Sequence, residues 1–279
     1  VKIGVATNLD KDKDLKVTLQ IAEILKRENI EFELECNNRE ICSWADMLIV
    51  VGGDGTILRV AQDAVLYDIP ILGINLGRLG FLADIEASEI DKLLTKENLV
   101  KAKIEERMML NTTVTNALMK YEYLALNETS LIRSFSSRIT EFEISVNKKV
   151  VDIYPADGIL ISTATGSTAY NLSAGGPIVV PEADNIILTP ICPHTIYSRS
   201  IVLTNKDEVS IRLPDQEELS LCIDGVVKMS INKNDTIEIC KASKRVKLLK
   251  LSDRDFFEVL SKKIFKKDDN NGEERRTTI

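Results

Sequence analysis

Two rhythms of apolar and polar positions divide this chain. In the first hundred residues short apolar runs alternate with helical stripes. Lys2–Thr7 reads as a strand, and residues 14–28 follow with Leu15, Leu19, Ala22 and Leu25 at helical spacing. Residues 30–35 alternate apolar and acidic positions, as a second strand does. The unbroken run Met47-Leu48-Ile49-Val50-Val51 predicts a strand buried on both faces. A helix over 57–66 and a strand over 70–75 come next, then a capping-box pattern, Ser88-Glu89-Ile90-Asp91, opening a short helix that ends near Thr95. Strand and helix in alternation predict a doubly wound parallel sheet.

Near Ala102 the helical stripes stop. Strand-like runs follow at 108–115, 121–126, 139–146, 150–154, 158–162, 186–191, 209–213, 219–223, 236–240 and 246–251, with a hairpin turn at Asn147-Lys148-Lys149. That spacing predicts a mostly antiparallel, β-rich second domain. The chain divides into an α/β domain at 1–102, a β-rich domain at 103–252, and a helix at 253–265 expected to pack back on the first domain. The helix places Phe256, Phe257, Leu260 and Ile264 on one face. The charged tail at 266–279 is nearly free of apolar residues and is expected to be disordered.

Composition narrows the function classes. At 279 residues, with 36 basic and 43 acidic side chains and a net charge of −7, the chain is a poor match for nucleic acid or an anionic membrane. It holds no apolar run of membrane length and opens on a strand pattern rather than a signal peptide. Five cysteines without a C-x-x-C pair suggest reduced thiols in a cytoplasmic protein. His194 is the only histidine, which excludes chemistry that needs two. It reads as a structural, hydrogen-bonded residue, and Trp44, Phe256 and Phe257 read as core.

The buried strand at 47–51 runs directly into Gly52-Gly53-Asp54-Gly55-Thr56 and then a helix. Such a turn sets bare backbone N–H groups beside a helix N-terminus, an anion site that glycine leaves open to close approach. Asp54 repels phosphate, so a role in binding Mg²⁺ or taking a hydroxyl proton makes sense; helix N-capping is the alternative. The turn is neither a Walker A loop nor G-x-G-x-x-G. Arg59, one turn into the helix, can reach an anion or lie on a solvated face.

The second domain has its own polar islands. Asn127-Glu128 pairs an amide that can read a base edge with a carboxylate that can accept from ribose hydroxyls, or it is a polar strand end. Asp157-Gly158 leads through an apolar strand into Thr165-Gly166-Ser167-Thr168-Ala169-Tyr170-Asn171-Leu172-Ser173-Ala174-Gly175-Gly176-Pro177, rich in hydroxyls and free amides. A linker is the alternative, which the ordered strand and Tyr-Asn-Leu fit badly. Asp157 can also be the aspartate of a turn.

These stretches, in this order and spacing, resemble the bacterial NAD kinase family from Lys2 to about Lys263, together with Thr189-Pro190-Ile191-Cys192-Pro193-His194-Thr195 and Cys222-Ile223-Asp224-Gly225. The glycine-aspartate turn is shared with diacylglycerol and sphingosine kinases; the Thr-Gly-Ser-Thr-Ala-Tyr stretch is more specific. The resemblance implies phosphorylation of NAD⁺ at the adenosine ribose 2′-hydroxyl by ATP with Mg²⁺, in a cytoplasmic homodimer or homotetramer. It implies Asp54 as proton acceptor, and Gly52, Gly53, Gly55, Thr56, Arg59, Asn127, Glu128, Arg138, Asp157, Thr168, Ala169, Tyr170, Asn171, Leu172 and Ser173 as nucleotide contacts, Arg138 by spacing only. The adenosine end is expected against Asn127, Glu128, Asp157 and residues 168–173. Two positions depart from the family: Pro155, where many members have a basic residue, and Val226, where many have Gln. A lipid kinase of the same superfamily and a non-catalytic NADP(H) sensor are the rival readings.

Overall fold

The computed structural model describes residues 1–35, 38–77, 79–133, 139–195, 197–213 and 219–265. Arg138 and the tail at 266–279 lie outside the described residues. Strands β1 (Lys2–Thr7), β2 (Glu31–Glu35), β3 (Met47–Gly52) and β4 (Ile71–Asn75) are parallel, in the order β2-β1-β3-β4. All six residues of β3 are buried, as an apolar run covered on both faces must be. Helix α1 (Lys16–Arg27) packs Ile21, Ile24 and Leu25 on one face of the sheet. Helices α2 (Asn38–Trp44) and α3 (Asp54–Ala64) pack Ile41, Ile57 and Val60 on the other. The connections therefore diverge between β1 and β3, and a ligand crevice opens beyond their carboxyl ends.

Two helical expectations are corrected. Leu19 does not join the buried stripe of α1 but is 51% exposed, and the stripe runs through Thr18, Ile21, Ala22 and Leu25. Buried Asp12 sets that rotation, because its carboxylate accepts from Val17 N, Thr18 N and Thr18 Oγ1 at 3.2, 2.9 and 2.7 Å. The capping box forms between Glu86 and Glu89 rather than at Ser88, after the short strand β5 (Ile85–Glu86). Glu89 is held there by the Arg254 guanidinium at 3.0 Å. Short helices α4 (Ile90–Leu93) and α5 (Lys96–Lys101) follow.

From β6 (Lys103–Thr115) onward the chain is almost all strand: β7 (Lys120–Ala125), β8 (Glu128–Arg133), β9 (Thr140–Val146), β10 (Lys149–Ala156), β11 (Gly158–Thr163), β12 (Ile186–Ile191), β13 (Ile201–Leu203), β14 (Val209–Arg212), β15 (Leu219–Ile223), β16 (Val226–Ile231) and β17 (Thr236–Lys250). Asn147 and Lys148 turn between β9 and β10 with φ of 50° and 65°, the left-handed pair of a tight hairpin. Six strands form an antiparallel sheet, β13-β12-β11-β8-β15-β16. Its inner face packs on β9, β14 and the first half of β17 around Phe142 and Leu131.

The runs at 236–240 and 246–251 are one strand, not two. β17 pairs with β6 from Thr236↔Thr115 to Lys250↔Lys103, with a bulge between Lys241 and Arg245. Its far end also lies parallel to β4, at Leu248↔Ile71, so one sheet continues from the parallel strands into the antiparallel ones. After β17 the chain folds into α7 (Phe256–Leu260) and a π-helical turn, Ser261–Phe265. Phe256 packs against Phe81 with the ring centroids 5.8 Å apart and the planes tilted by 40°, and Val259 and Leu260 are buried. Phe257 is not core: docking through Phe256 leaves it 63% exposed.

Asp84 secures this junction. It is 1% exposed and accepts from Leu251 N at 2.6 Å, Ser252 N at 2.9 Å and Lys250 Nζ at 2.7 Å. Asp84→Ala leaves those donors without their acceptor and is expected to destabilise the fold by about 3 kcal/mol. Urea denaturation of variant and wild type measures the difference; a loss under about 0.5 kcal/mol contradicts the role given to this carboxylate.

Candidate active site

The glycine turn occupies the crevice between β1 and β3. Asn8, which follows β1, donates from Nδ2 to Thr56 Oγ1 at 3.0 Å and so fixes the start of α3. Gly53 is the N-cap residue, and no side chain caps the helix. Helices leave their first N–H groups without internal acceptors, so those of Asp54 and Gly55 face the crevice. Gly55 is exposed. These amides and the helix dipole together offer an anion site.

Asp54 is not an N-cap. Its Oδ2 accepts from Phe81 N at 2.8 Å and its Oδ1 from Leu82 N at 3.0 Å. The loop after β4 thus wraps the carboxylate, and only glycine fits at position 80, since a Cβ there would stand inside contact distance of Asp54 Oδ1. Two lysines that sequence reasoning missed approach the same turn. Lys11 Nζ lies 2.7 Å from where a Cβ on Gly53 would stand. Lys263 Nζ is 3.5 Å from Asp54 Oδ2 and 4.5 Å from the Phe81 ring centroid. Neither belongs to a motif, and periodicity does not mark them. Arg59 is exposed on α3. Among the described residues no group of three or more His, Cys, Asp or Glu side chains is set to hold a metal ion. The donors fit a magnesium ion brought in on nucleotide phosphates, with Asp54 as a protein carboxylate, because Mg²⁺ favours phosphates, waters and one or two carboxylates. A cavity of about 340 Å³ adjoins Phe81, lined also by Arg107, Lys250, Arg254 and Phe256, and none of the sequence-predicted site residues borders it.

The second constellation gathers at one end of the six-stranded sheet, where β8 starts and β11 and β15 end. Asp224 organises it. Its Oδ1 accepts from Asn127 N at 2.7 Å and Glu128 N at 3.1 Å, and its Oδ2 from Leu126 N at 3.0 Å and Gln62 Nε2 at 3.3 Å. Gln62 lies on α3, the helix that begins with Asp54, so a single helix joins the two constellations. The turn at 163–166 closes over Asn127: Thr163 N and Ser162 Oγ donate to its carbonyl at 2.9 and 3.1 Å. A Cβ at Gly166 would overlap that carbonyl oxygen.

Asn127 and Glu128 are 8% and 4% exposed. Burial, and secondarily the Asp224 charge, push the Glu128 carboxyl up to about 8. Burial also raises the Asp224 carboxyl, against the lowering effect of its four N–H donors. Glu128 Oε2 is buried without a hydrogen-bond partner. Such an orphaned atom is an opening for a ligand hydroxyl.

The structure separates Asp157 from this cluster. Asp157 precedes β11, while Ser162 at its other end faces Glu128, five residues or roughly 17 Å away at ~3.4 Å per residue. Arg133 Nη2 at 3.0 Å and His194 Nε2 at 3.6 Å flank its Oδ1. His194 is thus a site neighbour with a half-exposed side chain, and its N–H donates to the Pro155 carbonyl at 2.8 Å. Val226 is 55% exposed at the start of β16. Tyr170 is half-buried, and burial raises its phenol, with smaller contributions from Cys192 and Cys222. Thr168, Ala169 and Leu172 are half-buried and Ser173 is exposed, in the turn and in helix α6 (Tyr170–Ser173). Asn171 lies within the loop. It is fully buried, donating to the carbonyls of Ser167 and Pro177 at 3.1 and 3.0 Å and accepting from Thr189 Oγ1 at 2.8 Å. It holds the loop from within.

Residues 5–101 match the ATP-NAD kinase N-terminal domain and residues 126–251 the ATP-NAD kinase C-terminal domain. A protein named NAD kinase from Lachnoclostridium phytofermentans is 42% identical over 282 residues, covering 94% of this chain and 98% of that protein. An NAD kinase from Caldanaerobacter subterraneus is 41% identical over 278 residues, with 94% and 98% covered. A crystal structure of an NAD kinase from Archaeoglobus fulgidus in complex with ATP superposes with a TM-score of 0.78 at 28% identity, covering 94% of this chain and 99% of that one. Yeast NADH kinase complexed with NADH shares the fold, with a TM-score of 0.83 at 22% identity over 99% and 90% of the two chains.

The elevated Glu128 carboxyl makes stability depend on pH. Its folded value of about 8 lies above the ordinary 4.5, so its contribution is fully present below pH 4.5 and is lost as pH rises through about 8. Glu128→Gln removes that loss. The variant is expected to melt near wild type at pH 5 and to exceed it at pH 8.5, by on the order of a few kcal/mol. Thermal melts at the two pH values check this; a constant difference between them means that Glu128 does not titrate in this window.

Proposed function

The chain belongs to the ATP-NAD kinase family, and from that premise we propose that it transfers the γ-phosphoryl group of ATP to the 2′-hydroxyl of the adenosine ribose of NAD⁺, giving NADP⁺ and ADP. The observation that supports the proposal most is the geometry of Asp54, a carboxylate locked by two backbone N–H groups at the mouth of a glycine turn. A carboxylate there has no use in holding phosphate and a clear one in taking a hydroxyl proton. The turn amides of Asp54 and Gly55, with Lys11 beside Gly53, receive the ATP phosphates. Magnesium bound to those phosphates supplies charge neutralisation.

NAD⁺ lies along β11 in this reading. Asn127 and Glu128 hold the adenosine end, where the unpartnered Oε2 accepts from a ribose hydroxyl. Asp157, Arg133 and His194, a strand length away, take the opposite end. Two polar stations separated by a strand suit a two-headed dinucleotide better than a lipid headgroup. A sensor without catalysis leaves the placement of Asp54 unexplained. Arg59 and Ser173 are open to solvent and free to meet either nucleotide.

The free thiols Cys42, Cys192, Cys222 and Cys240 agree with a reducing, cytoplasmic setting. β10, at one edge of the large sheet, leaves Val150, Val151 and Ile153 61%, 46% and 45% exposed, which supports association into a homodimer or homotetramer.

Asp54→Asn keeps the side-chain shape, removes the base, and leaves one acceptor oxygen for two N–H donors. NADP⁺ formation from ATP and NAD⁺, followed with an NADP⁺-specific dehydrogenase, is expected to fall roughly 10²–10⁴-fold in kcat. Stability should drop by only about 1 kcal/mol. A kcat within threefold of wild type removes Asp54 from the proton-acceptor role.

A further inference from the structure

The C-terminal segment reaches the phosphate-transfer site without belonging to either constellation. Asp255 caps α7 by accepting from Glu258 N at 2.8 Å, Phe256 docks on Phe81, and the helix then widens into the π-helical turn Ser261–Phe265. Turns of this kind are uncommon and recur at functional sites. This one brings the Lys263 ammonium to 3.5 Å from Asp54 Oδ2, the same oxygen that accepts from Phe81 N. The Phe81 ring lies under the ammonium at 4.5 Å, so one residue positions both partners, by its amide and by its ring.

We propose that Lys263 is a catalytic residue, whose ammonium leaves Asp54 for the transferring γ-phosphoryl group and neutralises charge on its equatorial oxygens. The proposal rests on the phosphotransfer reading above. The side chains of Lys263 and Asp54 are 34% and 27% exposed, and ion pairs of this kind contribute little to stability. Exchange of one carboxylate for a more highly charged phosphoryl group therefore costs little. The exchange also returns an unshared negative charge to Asp54 when the hydroxyl proton must be taken. In the transfer, the ribose 2′-oxygen forms its bond to Pγ. The bond from Pγ to the β,γ-bridging oxygen breaks, its electron pair stays on ADP, and the hydroxyl proton passes to Asp54. Lys263 keeps its proton throughout. Fixed positive charge at this point comes from lysine and the loop amides, beside any ion carried by the nucleotide.

The test uses the full chain with Lys263→Met, Lys263→Arg and, as a control on the same turn, the exposed Lys262→Met. NADP⁺ formation is measured at saturating ATP and NAD⁺, with KM for each substrate and a thermal melt of each protein. Loss of one charge-stabilising donor predicts a kcat lower by roughly 10²–10³-fold in Lys263→Met. KM for NAD⁺ should stay within twofold, the melting temperature should be unchanged, and Lys263→Arg should fall between Met and wild type. Lys262→Met should match wild type. A Lys263→Met kcat within threefold of wild type overturns the proposal. So does an equal loss in the Lys262 control, or an equal loss in Met and Arg variants that both melt early, which would mean a packing role. A wild-type protein that makes no NADP⁺ overturns the phosphotransfer reading itself, and the proposal with it.

Discussion

Three backbone N–H groups at the start of β8 end on one buried carboxylate, that of Asp224, and the arrangement of Asn127 and Glu128 depends on it. Leu126, Asn127 and Glu128 leave the sheet ladder at this point, so their donors would be buried and unpaired without it. Asp224 itself sits at a φ of 48°, at the tip of the β15–β16 turn, and reaches back to Gln62 on α3. One side chain therefore sets where Asn127 and Glu128 point and ties that end of the sheet to the helix bearing Asp54. Its proximity also adds to the burial that raises the Glu128 carboxyl.

Asp54 uses the same device at the other constellation. Both of its oxygens are engaged by main-chain N–H groups of the loop after β4. A carboxylate oriented by backbone does not depend on a rotamer, and such preorganisation is what makes fixed charges effective in a reaction. The loop contributes glycine at position 80 for contact and Phe81 for packing, so the conformation around the Asp54 carboxylate is tied to the docking of the C-terminal helix.

The long ribbon of β6 and β17 makes these local devices act in one frame. It belongs to the antiparallel strands at one end and to the parallel sheet at the other, through Leu248 and Ile71. Asp84 and Arg254 then pin the exit of β17 to the α/β half. Burial of a carboxylate beneath three backbone or lysine donors recurs here for the same reason as at Asp224: chain ends leaving a sheet need acceptors.

Much of this was legible in the residues alone. The run at 47–51 flowing into Gly52-Gly53-Asp54-Gly55-Thr56 marked a buried parallel strand and a glycine turn into a helix, because periodicity and glycine chemistry are local properties. The change of rhythm near Ala102 marked the passage from alternating α/β to antiparallel strands, and Asn147-Lys148 marked its hairpin. What periodicity could not supply was any property that needs two distant segments at once. The exposure of Leu19 depends on Asp12, the burial of Asn171 on Thr189, and the merging of two short runs into β17 on a partner strand more than a hundred residues earlier. The raised Glu128 carboxyl, the distance between Glu128 and Asp157, and the approach of Lys11 and Lys263 to one glycine turn likewise arise only in three dimensions. Sequence determines which residues share a strand or a helix face, since neighbouring backbone geometry repeats. Only tertiary structure decides which charges meet and how deeply they are buried, because Coulomb energy and desolvation depend on distance through space and not along the chain.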